Sequence, residues 1–131
     1  MHYSIRQVSE QTDLSEHALR FYEKEGLLPP IERSPSGIRR YSDEDMECLN
    51  LICCLKNTGM SIRQIKTFME LCAKGPETLK ARCEMLREHK GAVEAQIEEM
   101  NRHLIKVTHK ISCFTAQYEE YRDGCNKGMS D

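Results

Sequence analysis

Seven cysteines stand at positions 48, 53, 54, 72, 83, 113 and 125, and they are the side chains with the most chemistry to offer. A thiolate attacks carbonyl and nitroso electrophiles, and it binds soft metal ions. An odd count forbids a closed disulfide framework, and the N-terminus shows no basic start followed by an apolar core, so secretion is not expected and the thiols should be reduced. The spacings contain no C-x-x-C pair and no His-x-x-x-His partner, which argues against a zinc finger or an iron–sulfur cluster within one chain and leaves open a metal site shared between chains. A second group is cationic and aromatic. From Arg20 to Tyr41 five cations (Arg20, Lys24, Arg33, Arg39, Arg40) face three anions (Glu23, Glu25, Glu32), a local surplus suited to phosphates.

These residues need elements to hold them, and local chemistry marks four helix starts. Ser4 with Gln7, Ser42 with Asp45, and Ser61 with Gln64 each place a hydroxyl three residues before a side chain able to cap back. At Gly75-Pro76-Glu77, glycine closes one helix and proline opens the next. The spacing predicts helices over about 5–12, 16–25, 43–57 and 62–74, with Asp13-Leu14-Ser15 as a tight turn, which is helix-turn-helix spacing. Pro29-Pro30 and Ser34-Pro35-Ser36-Gly37, flanked by β-capable pieces around Ile31 and 38–41, predict a small two-stranded wing.

From Leu79 the pattern changes. Positions 79, 83, 86, 90, 93, 97, 100, 104, 107, 111, 114, 118 and 121 are apolar or aromatic except Lys90, and they form a heptad seam. Such a helix is roughly 60 Å long and cannot bury its own stripe, so an antiparallel pair of two copies is expected, with a bend at Gly91 beside Lys90. The expected organisation is a DNA-binding head over 1–74, a dimerisation helix over 75–122 and a flexible tail over 123–131. The fold class is mainly α: a winged helix-turn-helix head with a small β wing, followed by a long antiparallel coiled-coil helix.

A helix-turn-helix dimer sets its second helix in the major groove while flanking groups hold phosphates. Ser15 and His17, near the start of that helix, are the candidates for base edges. Arg20 and Tyr22, with Arg39, Arg40 and Tyr41 of the wing, are candidates for the backbone, and Arg63 at the start of the helix over 62–74 joins them. Net charge is −2, so the local patch carries the expectation rather than the total.

The stretches "YSIRQVSEQTDLSEHALRFYEKEGLL", "GIRRYSDED" and "GMSIRQI" resemble the MerR family of bacterial transcriptional regulators. That resemblance covers about residues 3–72 and extends into the long helix. It implies a homodimer on promoter DNA with an overlong spacer, whose inducer changes how the DNA is bent and untwisted so that RNA polymerase can engage. About ten residues follow Tyr121, so no drug-binding domain is expected and the thiols are the candidate sensors.

Helical projection of the third helix puts Met46, Leu49, Ile52 and Cys53 on one face, and Cys54 with Glu47, Asn50 and Thr58 on the other. "LICCLKNTGMSIRQIKTFMEL" and "ETLKARCEMLREHKGAVEAQIEEMNRHL" are similar to a subgroup responding to aldehydes and to nitrosative or electrophilic stress through one cysteine, and Cys54 matches that thiol. No cation lies one helical turn from it. The alternative is a metal sensor using Cys83, Cys113 and Cys125, with one chain's early thiol meeting the partner's two late ones. No cofactor is expected.

Other classes fit less well. The acids, such as Glu98, Glu99, Glu119 and Glu120, sit on solvated helix faces, so catalysis is not expected. A protein-only coiled-coil adaptor leaves the basic wing unexplained. No run of 18 apolar residues exists, which predicts no membrane span and a cytoplasmic location.

Overall fold

A computed structural model describes the backbone of residues 1–129 and the surroundings of side chains as far as residue 126. It divides into two units, 1–90 and 91–131. The first unit begins with β1 (His2–Tyr3), α1 (Ile5–Thr12) and α2 (Glu16–Lys24). It continues through β2 (Glu32–Arg33), β3 (Arg39–Ser42), α3 (Asp43–Asn57) and α4 (Ile62–Lys74). A 3-10 turn over Pro76–Thr78 leads into α5 (Leu79–Met129), a helix that runs on into the second unit.

The helix starts form as their sequences dictate. Ser4 and Gln7, Ser42 and Asp45, and Ser61 and Gln64 all make reciprocal capping boxes, each satisfying donors the first turn would otherwise leave bare. Between α1 and α2 the chain reverses at Asp13, whose φ of 59° places it in the left-handed region, a conformation that aspartate tolerates better than most residues. Gly59 does the same between α3 and α4 with φ of 101°.

The sheet is larger than a two-stranded wing. β3 pairs antiparallel with β2 through Arg33↔Arg39 and with β1 through Tyr3↔Tyr41, giving the order β1-β3-β2. Tyr3 donates its hydroxyl to Asp43 Oδ1 at 3.0 Å, fixing the first strand to the start of α3. A two-residue strand carries no periodicity, so its pairing was invisible in the sequence.

One core serves the first unit. Val8 of α1, Leu19 and Tyr22 of α2, Leu27, Leu28, Ile31 and Tyr41 around the wing, and Leu49, Ile52, Ile65 and Phe68 of α3 and α4 are buried together. Met85 and Leu86 at the start of α5 pack against it. Arg82 locks that start by donating to Thr78 Oγ1 at 2.9 Å and to the Gly75 carbonyl at 2.6 Å.

In the second unit, residues 91–129 are helical. The seam residues Ile97, Leu104, Ile111 and Tyr118 are 56%, 60%, 62% and 60% exposed in the single chain. The segment expected as a tail is helical as far as Met129, because no proline interrupts it and Gly124 lowers helix propensity without blocking the backbone bonds. Residues 130–131 lie outside the described part. Gly91 likewise lies inside an unbroken α5.

Candidate functional site

The second helix of the helix-turn-helix, α2, is set by Ser15, whose hydroxyl accepts from the Ala18 amide at 3.0 Å. Ser15 is therefore first an N-cap, a role its sequence hid because Ala18, not Glu or Gln, stands three residues on. His17 and Arg20 follow on the exposed face. Arg20 lies 3.5 Å from Glu16 in an exposed i,i+4 pair, an interaction weak enough to yield to a phosphate.

Two of the expected backbone contacts need correction. Tyr22 is only 2% exposed and belongs to the core, with its hydroxyl accepting from Lys56 Nζ at 3.0 Å. Lys56 also sits 5.6 Å from the Tyr22 ring centroid, so α3 grips α2 by a hydrogen bond and a cation–π contact. Bonding to Tyr22 raises the Lys56 pKa above the ordinary lysine range. Tyr41 is fully buried, and its hydroxyl has no hydrogen-bond partner among the described residues. Burial pushes its pKa up, and Glu23 adds to this. Both aromatics fill the interior because the strand and helix that carry them turn those positions inward.

Arg39 is also placed differently from the expectation of a free phosphate ligand. Its Nε donates to Glu23 Oε2 at 2.7 Å, while Arg33 reaches Glu23 Oε1 at 3.4 Å. Glu23 thus fastens both wing strands to α2, and sequence alone gave no signal for that because the partners lie 10 and 16 residues away. Arg40 remains on the surface, 3.9 Å from Glu32 and 3.4 Å from His2 Nδ1. Arg63 is exposed at the start of α4. Of the arginines expected at the DNA, Arg20 on α2, Arg40 on the wing and Arg63 on α4 are exposed.

The thiols sort by environment. Burial pushes the Cys53 thiol up in pKa, with Lys56 opposing. Burial also raises Cys48, helped by Asp45 and Cys72. Cys54 is exposed on the opposite face of α3, as projection predicted. One turn further on, Thr58 Oγ1 donates to the Cys54 carbonyl at 2.7 Å and lies 2.7 Å from His89 Nε2 on α5. No cation stands one helical turn from Cys54 in the sequence, and the fold brings His89 to Thr58, 31 residues before it.

Cys83 and Cys125 are exposed and Cys113 is half-buried, 3.5 Å from His109. Among the described residues no three His, Cys, Asp or Glu side chains converge as metal ligands within the chain. No helix among them is long and apolar enough to cross a membrane.

Helix, tight turn, capped second helix and wing define a winged helix-turn-helix DNA-binding protein. The family model for MerR HTH regulatory proteins matches residues 3–72, and the MerR DNA-binding model matches residues 46–109. The chain belongs to the MerR family and is a MerR-type DNA-binding transcriptional regulator. It is 39% identical over 114 residues to an uncharacterised HTH-type transcriptional regulator of Haemophilus influenzae, covering 87% of this chain and 84% of that one. It is 38% identical over 87 residues to the HTH-type transcriptional regulator AdhR of Bacillus subtilis, covering 66% and 62%. Among solved structures, HiNmlR, a MerR family regulator lacking the sensor domain and bound to promoter DNA, superposes with a TM-score of 0.80 at 39% identity over 86% of this chain and 89% of that one. A MerR family regulator from Listeria monocytogenes gives 0.83 at 30% identity over 92% and 95%.

Proposed function

We propose that this regulator binds promoter DNA as a homodimer joined through α5 and changes its hold on that DNA when Cys54 captures a reactive electrophile. The observation that carries the reading is the position of Cys54: an exposed thiol on α3, one turn before Thr58, whose hydroxyl is bonded to His89 of α5. The exposed seam of α5 supports pairing, since a stripe of that length on a helix surface calls for a partner. The DNA-bound relative supports a promoter as ligand, with Arg20, Arg40 and Arg63 on phosphates and His17 toward base edges.

The capture step balances without a co-reactant. The Cys54 thiolate adds to the carbonyl carbon of an aldehyde, the C=O pair moves to oxygen, and that oxygen takes a proton, giving a hemithioacetal. The added group crowds the face of α3 on which Thr58 meets His89, so it bears on the join between α3 and α5. RNA polymerase then engages a promoter whose bend and twist have changed.

The test is transcription in vitro from the native promoter with formaldehyde, methylglyoxal or a nitrosothiol, comparing wild type with Cys54→Ser. Induction should be lost in the variant while promoter binding without inducer is retained. A variant that responds like wild type overturns the sensor assignment.

A further inference from the structure

A second pair of thiols lies apart from Cys54. Cys48 on α3 and Cys72 on α4 stand at equal chain distance from Met60 in the turn joining those helices. Both pack against the core, and both line a groove of about 380 Å³. Leu27, Leu28, Pro29, Met69 and Glu70 are among its other lining residues. Burial is the main cause that pushes the Cys48 thiol up, and Cys72 is among the others.

We propose that this groove is a dithiol site for a trivalent organoarsenical, bridged by Cys48 and Cys72. Three features select that class. A pyramidal arsenic carrying one carbon substituent needs only two further ligands, and no third metal-ligating side chain converges here among the described residues. Its bis-thiolate product carries no charge, so an apolar groove that disfavours a thiolate does not disfavour the product. The hydrocarbon substituent has an apolar wall to lie against.

The step balances. Two S–H bonds and the arsenic–oxygen bond break, two As–S bonds form, and the oxygen leaves as water with both protons. Arsenic stays trivalent and no electrons are transferred. The bridge ties α3 to α4 beneath the Leu28–Pro30 approach to the wing, which couples occupancy to the DNA-binding head.

The probe is phenylarsine oxide, added in stoichiometric amount to the full-length reduced protein and followed by intact and peptide mass spectrometry and by thermal unfolding. The wild type should gain one phenylarsenic unit, with Cys48 and Cys72 peptides joined and Tm raised, because a ligand held only by the folded state stabilises it. Cys48→Ser and Cys72→Ser should each lose both effects, and a Cys53→Ser/Cys54→Ser double variant should keep them. Should Cys48→Ser fold poorly, Cys72→Ser alone decides the matter. An adduct on Cys53 and Cys54, or no stable adduct, overturns the site. Neither result touches the electrophile reading, which stands or falls on Cys54→Ser in transcription.

Discussion

Glu23 accepts from Arg39 Nε at 2.7 Å, in a pair whose side chains are only 18% and 24% exposed. With Arg33 on the other carboxylate oxygen at 3.4 Å, one acid on α2 orients both strands of the wing. Glu23→Ala should cost about 1.5–3 kcal/mol, the range for hydrogen bonds to charged groups, measured by urea unfolding. It should also weaken promoter binding although it removes a negative charge from the DNA-binding head. Tighter binding on removing that charge would mean that Glu23 merely repels phosphate.

Arg20 should behave in the opposite manner. It is exposed, and its partner Glu16 is 3.5 Å away, so Arg20→Ala should leave stability within about 0.5 kcal/mol. A lost phosphate contact lowers the steepness of log K against log salt by roughly 0.9. Gel shifts across a salt series separate the two arginines: Arg20→Ala flattens the slope, whereas Arg39→Ala lowers stability first.

Tyr41 gives a pH prediction. Its pKa is raised in the fold, chiefly by burial, so the folded state prefers the neutral phenol. The stability this supplies is complete below the ordinary tyrosine value of 10.0 and is lost as pH rises through the higher folded value. Tyr41→Phe removes a buried hydroxyl that has no hydrogen-bond partner among the described residues and should be neutral or stabilising by about 1 kcal/mol. It should also make the fall in Tm above pH 10 shallower. A steeper fall would show that the hydroxyl is held by interactions the fold needs.

What the sequence disclosed follows from the range of the interactions concerned. The capping boxes at Ser4, Ser42 and Ser61 are made within three residues, and α1, α3 and α4 begin where those residues require. The face of α3 that carries Cys54 was legible from helical period alone. Tyr22 was misplaced because its partner, Lys56, is 34 residues away. Tyr41 was misplaced because its strand gains a second neighbour from His2–Tyr3, which turns an expected rim position into core. The Glu23 clamp and the His89 contact are long-range polar pairings, and neither alters hydrophobic periodicity.

The seam of α5 makes a prediction about assembly. Leu104 is 60% exposed in the single chain, yet it occupies the apolar stripe. In the proposed dimer, Leu104→Glu places a charge between the two α5 helices, at a cost of several kcal/mol. Sedimentation should show the wild type as a dimer and the variant shifted to monomer at the same concentration, with promoter affinity down by at least about tenfold, or 1.4 kcal/mol. A variant that sediments as the wild type does would remove α5 from the interface.

In the proposed mechanism the contact between Thr58 and His89, 2.7 Å long, separates capture of the electrophile from its consequence. Thr58→Val keeps the size of the side chain but removes the hydroxyl that bonds both the Cys54 carbonyl and the His89 ring. Losing it should cost about 1 kcal/mol and leave Cys54 as exposed as before. Peptide mass spectrometry after aldehyde treatment should therefore find the Cys54 adduct in the variant as in the wild type. Transcription should differ, because the adduct no longer displaces a bond that ties α3 to α5: the variant's output without inducer moves toward the induced level and aldehyde changes it little. His89→Ala should reproduce that pattern from the other side of the bond. Full induction in both variants, with the adduct present, would show that the signal leaves Cys54 by another route, and Cys54 would remain the sensor without this link to α5.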